Sequence, residues 1–439
     1  MGKAVTSSLE REALARGIKH LLVSFVDLFG VQRAKLVPVE AATEMMRTGA
    51  AFGGFAVWLD LTPADAELFA RPDPTTLIQL PWKPDVGWVA ADLWMEDQPF
   101  EQAPRHVLRR TVEQAAQVGF NMKSGVECEF IFLTPDGAAI ADPADKQAKP
   151  CYDQQSLMRR YDVISEISDV MTSLGWRPYQ SDHEDANGQF EMNWEYGDAL
   201  VTADRHAFFK FMAKSIAEKH GLRATFMPKP FAHVVPNGCH VHVSLWRRET
   251  NLFLDEAGEL GLSPLAYHFM GGVLEHAPSF AALTNPTVNS YKRINAAVFP
   301  SGAPAGLAAN ALTYGGANRT HLLRIPAPGR FEIRIGDGAA NPYLLQAAFL
   351  AAGLDGVEKQ TSPGERRDIN MFEEGRSLPN LRRLPANLLD ALRALNTADV
   401  LRTRLGTGFV DAYIKMKTME WDAFCGSLSE WERATTLDC

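Results

Sequence analysis

The sequence lacks most of the signatures that identify common classes of protein. Its 439 residues include only five cysteines, at scattered positions and without a CxxC or HExxH motif, so neither a disulfide framework nor a common zinc motif is indicated. No apolar run reaches the roughly 18 residues needed to cross a bilayer. The charged N-terminus also lacks the apolar core of a secretion signal. We therefore expect a cytoplasmic protein with reduced thiols.

The sequence also has no excess of positively charged residues. Lys and Arg total 44 against 53 Asp and Glu, which gives a formal net charge of -9 and argues against nucleic acid or an anionic membrane as a partner. The chain contains no GxxxxGK[ST], GxGxxG or GxSxG motif, so a P-loop, a Rossmann site and a hydrolase elbow are not indicated. What is present, with 46% hydrophobic residues, is the composition of a globular protein.

The order of the predicted elements indicates an α+β protein with two domains. Residues 1–102 are rich in short β-patterned runs, including two that flank Phe29-Gly30 as in a hairpin. An amphipathic helix opening at Ala103-Pro104 marks the start of a larger domain, 103–439. There we predict one continuous strand over SGVECEFIFL and a helix over DRHAFFKFMAKSIAEKHG with Asp204 as its N-cap.

Several short strands of this larger domain carry one apolar and one reactive face. Because side chains alternate along a strand, three strands each place their chemically reactive residues on one side. These residues are Glu127 and Glu129 on the first strand, His240, His242 and Ser244 on the second, and Arg330, Glu332 and Arg334 on the third. Two further glutamates, Glu184 and Glu191, lie nearby. A solvated sheet face would give the same alternation in any one strand. Five Glu and two His together favour oxygen-rich ligation of Mg²⁺ or Mn²⁺. Cys128 and Cys239 fall on the apolar side, where we expect inert core thiols.

Arginines form a second group of reactive residues. Five of them lie close to the strand motifs: Arg293, Arg319, Arg324, Arg330 and Arg334. Carboxylates that hold divalent cations, facing guanidinium groups, are suited to phosphoryl transfer. The residues alone therefore predict a metal-dependent, ATP-using transferase or ligase.

Motifs along the whole chain resemble, in order, those of the glutamine synthetase family, most like its glutamate–methylamine ligase branch. They are FVDLFGVQRAKLVP, GVECEF, HEDANGQFE, TFMPKP, GCHVHVSL, NPTVNSYKR, NRTHLLRIP and RFEIRIGDGAANPYL. The resemblance implies an N-terminal β-grasp domain, then a catalytic domain whose curved antiparallel sheet forms a funnel surrounded by helices. It also implies a homo-oligomeric double ring with active sites between neighbouring subunits.

The resemblance assigns roles to individual residues. It implies one metal on Glu129, Glu184 and Glu191, and a second, near ATP, on Glu127, His240 and Glu332. It implies ATP contacts by His242, Ser244, Tyr196, Arg324 and Arg330. Glutamate and its transferred phosphoryl group would be bound by Arg293, Gly238, Arg319 and Arg334. The implied reaction phosphorylates the glutamate γ-carboxylate with ATP, after which an amine displaces phosphate.

The departures from the family pattern lie at positions that, in the family, bind the amine substrate. Where the family has an Asp in Phe-Asp-Gly-Ser-Ser, this chain reads Phe52-Gly53-Gly54-Phe55, and where the family's flap carries a Glu it has Phe299. A pocket with less negative charge suits an alkylated amine. We therefore expect methylamine as the substrate, oriented by Tyr152 and Glu184. Ammonium, a larger amine, and a catalytically inactive structural protein stay as alternatives.

Overall fold

The computed structural model describes residues 6–295, 309–375 and 377–439. Its first sheet contains a hairpin of the expected kind, in which Val26 is paired with Gln32 across a turn where Gly30 has a φ of +79°. A positive φ is readily adopted by glycine, which lacks a Cβ. The strands of this sheet, in the order β2-β1-β6-β4-β3 with β5 and β7 on β6, are β1 (His20–Val26), β2 (Gln32–Pro38), β3 (Ala50–Phe52), β4 (Leu68–Pro72), β5 (Ile78–Gln79), β6 (Val86–Met95) and β7 (Gln98–Pro99).

Two further sheets follow in the described residues. The second sheet has the order β10-β11-β9-β13, and the third has the order β12-β8-β14-β18-β17-β16 with β15 on β14. Their strands are β8 (Asn121–Cys128), β9 (Phe130–Leu133), β10 (Pro178–His183), β11 (Gln189–Trp194), β12 (Gly197–Asp198), β13 (Arg223–Thr225), β14 (Cys239–Arg247), β15 (Thr250–Asn251), β16 (Tyr314–Gly315), β17 (Leu323–Ala327) and β18 (Arg330–Ile333).

Helices surround these sheets, as expected for the α+β class. One of them, α9, is buried along most of its length, since every residue from Pro342 to Gly356 is buried. The helices are α1 (Ser8–Ala15), α2 (Ala42–Thr48), α3 (Pro104–Gln117), α4 (Gln154–Arg159), α5 (Tyr161–Ser173), α6 (Ala199–Lys219), α7 (Pro264–Thr284), α8 (Ser290–Ile294), α9 (Pro342–Lys359), α10 (Leu388–Asn396), α11 (Asp399–Leu405), α12 (Thr407–Cys425) and α13 (Glu430–Thr436). Within the described ranges, no helix has both the length and the apolar content to cross a membrane.

Two local expectations were wrong. The strand predicted over SGVECEFIFL is broken at Glu129, because β8 pairs in the third sheet and β9 in the second. Asp204 is not an N-cap: α6 begins at Ala199, and the Asp204 carboxylate pairs with Arg105. The pairs of the third sheet are antiparallel, as expected, except that β17 runs parallel to β16.

A buried ion-pair network connects the first sheet to the helices. Arg105 of α3 is 4% exposed and reaches three aspartates, Asp73 and Asp92 of the first sheet region at 2.8 Å each and Asp204 of α6 at 2.9 Å. The Tyr343 hydroxyl donates to the Asp204 carboxylate at 2.8 Å. Because one guanidinium satisfies three carboxylates, the network fixes α3 against both neighbours.

Candidate active site

Most of the residues singled out in the sequence line one cavity of about 460 Å³, which we call the acidic cavity. Its walls come from both the second and the third sheet. The predicted residues that line it are Glu127, Glu129, Tyr152, Glu184, Glu191, Gly238, His240, His242, Arg293, Arg319, Arg324, Arg330 and Arg334. Glu332 is buried and contacts three of the lining residues, His240, Arg324 and Arg334.

Strand register brings these side chains together. In the antiparallel pair of β8 and β14, His240 lies opposite Glu127, and in the pair of β14 and β18, His242 lies opposite Glu332. Directly opposite residues on antiparallel strands share a face. The alternation seen in each separate strand therefore becomes one continuous reactive surface.

Glu127, His240 and Glu332 form a compact group of three metal-ligand types. One ligand atom from each lies within 4.8 Å of the others. Burial, followed by the charge of Arg334, lowers the pKa of His240 well below its ordinary value, which keeps the imidazole neutral and available as an electron-pair donor. Burial alone would raise the pKa of Glu332, but the charge of Arg334 and the hydrogen bond from Arg324 lower it to about 2, so this carboxylate is ionised. Neutral imidazole and ionised carboxylate are the forms that bind a metal.

The remaining acidic ligands form two linked groups that share Glu191. Glu129 and Glu191 group with His240, while Glu184 groups with Glu191 and Asp182. Burial raises the pKa of Glu129 to about 7, and burial together with the Glu129 charge raises that of Glu184 to about 8. These raised pKa values mean that the positive charge near the two carboxylates does not offset the cost of burying their ionised forms. Oxygen-rich groups in this state fit a hard divalent cation such as Mg²⁺ or Mn²⁺.

Asp182 is a cavity residue that the sequence reasoning missed. It lies on β10 between Gln180 and Glu184, and all three line the acidic cavity. The signal was available, because the three residues follow the same alternation of two that identified the other strands.

The arginines occupy distinct positions around the carboxylates. Arg324 Nη1 lies 2.9 Å from Glu332 Oε2, and Arg334 pairs with the other oxygen of the same carboxylate. Arg293 is buried and donates to the Ile335 carbonyl at 2.9 Å. Arg330 Nη1 lies 2.5 Å from His242 Nδ1. Arg319 is exposed at the edge of the cavity. Guanidinium groups on several sides can bind the oxygens of an anionic substrate.

Gly238 lies where side chains from three elements converge. Its amide donates to Glu129 Oε2 at 2.6 Å. A Cβ at this position would lie 2.8 Å from His240 Nε2, 3.0 Å from Glu129 Oε1 and 3.2 Å from Arg293 Nη2. Only glycine leaves room for all three groups.

A second cavity of about 750 Å³, the aromatic cavity, adjoins the first. Glu127, His242 and Arg330 line both. The aromatic cavity contains the predicted Ser244 and Tyr196, the second of which is exposed. A pocket with aromatic side chains that adjoins basic and acidic groups suits a nucleotide, whose base is flat and aromatic and whose phosphates are charged.

Trp246 is a residue of the aromatic cavity that the sequence reasoning did not select. Its ring faces that of Tyr196, with centroids 6.5 Å apart and planes at 28°, and Lys123 Nζ lies 4.1 Å from its centroid. Its indole N–H donates to Ser244 Oγ at 2.8 Å. Continuing the alternation of His240, His242 and Ser244 by one step would have found it.

The expected amine-side residues are only partly brought together. Tyr152 lines the acidic cavity with a left-handed φ of +64°, and its amide donates to the His183 carbonyl at 2.8 Å. Gly53, Gly54 and Phe55 do not line the acidic cavity of the described chain, and Phe55 is 57% exposed. Phe299 lies outside the described residues.

The chain is similar over nearly its whole length to several known proteins. The chain is 58% identical over 436 residues to a protein of Rhizobium meliloti named glutamine synthetase, covering 99% of this chain and 100% of the relative. It is 41% identical over 430 residues to a glutamate–methylamine ligase of Methyloversatilis universalis, covering 96% of each. A solved structure described as a GmaS/ADP complex matches with a TM-score of 0.95 and 60% identity, over 99% of this chain and 100% of the other.

The catalytic part of the chain is also recognised as a whole. The family described as "Glutamine synthetase, catalytic domain" matches residues 101–436. Enzymes of this family use ATP and divalent metal ions. The fold, the two adjoining cavities and the matches together show that this chain belongs to the glutamine synthetase family of ATP-dependent ligases.

Proposed function

We propose that the chain joins the γ-carboxylate of glutamate to methylamine, with ATP as the energy source, to give γ-glutamylmethylamide. One observation carries the choice of amine: glycine stands at position 53, where the family pattern has a carboxylate. Removing a negative charge weakens the binding of ammonium relative to a larger, partly apolar cation. The relative named glutamate–methylamine ligase supports this choice.

Two divalent cations would be held in the acidic cavity. Glu129, Glu184 and Glu191 are proposed for one, and Glu127, His240 and Glu332 for the other, with Mg²⁺ as the physiological ion and Mn²⁺ as its substitute. When bound, such ions neutralise the charge on phosphate oxygens. The convergence of all these ligand types disfavours a catalytically inactive structural protein, and Glu129→Ala should abolish ATP turnover.

ATP would occupy the aromatic cavity with its base near Tyr196 and Trp246. The solved relative described as an ADP complex supports a nucleotide site. His242 and Arg330 line both cavities, so the terminal phosphate would reach the acidic cavity at that point. Ser244 and Arg324 would complete the nucleotide contacts, and Gly238 and Arg293 would bind glutamate opposite them.

The proposed reaction has two steps. A γ-carboxylate oxygen of glutamate attacks the terminal phosphorus of ATP, the bond from that phosphorus to the bridging oxygen breaks, and ADP leaves. Arg319 and Arg334 would stabilise the oxygens of the transferred group. The amine nitrogen then attacks the γ-carbonyl carbon, and the C–O bond to phosphate breaks. Glu184 would accept the proton that the amine loses, with Tyr152 orienting the nitrogen.

Glutamine synthetase activity with ammonium is the second candidate. It is favoured by the Rhizobium meliloti relative of that name and by the acidic lining that remains around Glu184. A single methyl group in an apolar pocket contributes only about 1–3 kcal/mol, or about 10- to 200-fold in kcat/KM. We therefore expect ammonium to be a weaker substrate rather than an excluded one.

Release of ADP with glutamate and each of four amines tests the proposal. Ammonium, methylamine, ethylamine and putrescine are compared at equal concentrations of the unprotonated amine. We expect the highest kcat/KM with methylamine. A higher value with ammonium would refute the methylamine assignment and support the second candidate.

Gly53→Asp provides a sharper test of the same assignment. Gly53 has an ordinary φ of -71°. The three atoms nearest to a new Cβ all belong to the Phe55 ring, the closest at 2.9 Å, and this exposed ring can turn away. We expect the ratio of kcat/KM for ammonium to that for methylamine to rise about tenfold, the size of one charge effect of about 1.4 kcal/mol. Gly53→Asn is the matched control, since it adds the same bulk without the charge. An equal change in both variants would contradict the electrostatic explanation.

We also propose the domain division at residues 102 and 103, a cytoplasmic location, and a double-ring homo-oligomer. Gly53 and Phe55 do not line the acidic cavity of their own chain. In the proposed oligomer they would instead contribute to the acidic cavity of a neighbouring chain. Light scattering during size-exclusion chromatography measures the mass. A monomer with full activity would contradict the shared site.

A further inference from the structure

A second cluster of metal-ligand types lies outside the acidic and aromatic cavities. Cys128 at the end of β8 and Cys239 at the start of β14 are direct partners in the antiparallel register, and His206 of α6 completes the group. One ligand atom from each lies within 4.8 Å of the other two. All three residues are 0% exposed. We call them the thiol cluster.

The strand geometry explains why the two sulfurs meet. The neighbouring pair, Glu129 and Gly238, is hydrogen-bonded, with the Glu129 amide 3.1 Å from the Gly238 carbonyl. In an antiparallel ladder such pairs alternate with non-hydrogen-bonded pairs, whose side chains are closer. Cys128 and Cys239 therefore occupy a non-hydrogen-bonded pair.

His206 supplies an independent observation. Among the described residues, neither ring nitrogen of His206 makes a hydrogen bond of good geometry, and the side chain that interacts with its ring is the Cys128 thiol. A buried polar group without a partner costs about 1–3 kcal/mol, and such groups are rare in folded proteins. The histidine nevertheless contributes a nitrogen to the thiol cluster, together with the sulfurs of Cys128 and Cys239. A cation held between them would give that nitrogen a strong partner.

We propose that the thiol cluster binds a thiophilic d¹⁰ cation, Zn²⁺ or Cu⁺. On binding, the Cys128 and Cys239 thiols each lose one proton to solvent, and the two thiolate sulfurs and one imidazole nitrogen form the bonds to the metal. With Zn²⁺ the two thiolate charges are neutralised, which permits complete burial. Sulfur ligands separate this site from the carboxylate sites, which favour Mg²⁺ or Mn²⁺.

The position of the cluster gives the bound cation a structural role. Cys128 lies between Glu127 and Glu129, and Cys239 lies between Gly238 and His240. A metal that joins the two cysteines therefore ties together, from behind, the strands that carry proposed ligands of the acidic cavity. This inference does not depend on which amine the enzyme uses.

The test uses the full-length protein produced with added Zn²⁺ or Cu⁺ and then dialysed against excess Mg²⁺. Plasma mass spectrometry gives the metal content, and X-ray absorption at the metal edge identifies the ligands. We expect about one thiophilic ion per chain with a sulfur shell, at about 2.3 Å for zinc. Zinc bound only to carboxylates would instead show oxygen or nitrogen at about 2.0–2.2 Å.

Variants locate the site. Cys128→Ser and Cys239→Ser should each lose the ion, whereas Cys425→Ser, which alters an exposed thiol, should retain it. Absence of a sulfur shell in the unaltered protein would overturn the proposal, even if the buried variants failed to fold. So would a sulfur shell that persists in Cys128→Ser, or a disulfide between Cys128 and Cys239 shown by an intact mass lower by two hydrogens.

Discussion

Substituting Gly238 tests whether the crowded centre of the acidic cavity controls the activity. In Gly238→Ala the new Cβ would lie 2.8 Å from His240 Nε2 and 3.0 Å from Glu129 Oε1. Ordinary contacts between heavy atoms are about 3.5–4.0 Å, so the overlap is about 0.5–1 Å. The Gly238 amide also holds the Glu129 carboxylate at 2.6 Å, which limits how far that carboxylate can withdraw.

Overpacking of this kind typically costs about 1–3 kcal/mol. If His240 and Glu129 move to relieve this strain, they leave the positions that the reaction needs, and the transition state loses a similar amount of stabilisation. At 1.36 kcal/mol for each factor of ten, kcat/KM should fall about 5- to 150-fold. We also expect weaker Mg²⁺ binding, because both displaced groups are proposed metal ligands.

The assays are ADP release at varied glutamate and Mg²⁺, together with thermal unfolding. Gly408→Ala is the matched control, since Gly408 lies on α12 and a Cβ there meets no atom within 4 Å. An unchanged kcat/KM and unchanged Mg²⁺ affinity in Gly238→Ala would refute the reasoning. Equal losses in both variants would show a general effect of alanine and would refute it as well.

Three further predictions concern stability and the two cavities. Arg105→Leu leaves Asp73, Asp92 and Asp204 without their shared partner and should destabilise the fold by about 3–5 kcal/mol, measured by urea unfolding; a loss below 1 kcal/mol would contradict this. Mg²⁺ at about 100 times its dissociation constant should raise the free energy of unfolding by about 2.7 kcal/mol, and a chelator should reverse this stabilisation. A melting temperature that does not change with Mg²⁺ would contradict the prediction. Trp246→Ala should raise the KM for ATP about tenfold, with Phe restoring most of the affinity, since stacking contributes about 0.5–1.5 kcal/mol beyond burial; an unchanged KM would place the base elsewhere.

Much of the site was predictable because strands have a period of two. The alternation of Glu127 with Cys128 and Glu129, and of His240 with Val241 and His242, fixed which side chains share a face before any partner strand was known. The same rule, applied further, would have found Asp182 and Trp246. Charge and the absence of common motifs narrowed the function classes, and the ordered motifs identified the family.

The tertiary structure decided what depends on contacts between distant segments. The break at Glu129 arises because β8 and β9 pair in different sheets, which no local pattern records. The space that only Gly238 can occupy, the ion pairs of Arg105 and the meeting of His206 with two cysteines each require the register of elements far apart in sequence. By itself the sequence determined which residues face the same way along a strand. Only the packing of the folded chain determined which of these faces contact one another, because each such contact joins segments that are far apart in sequence.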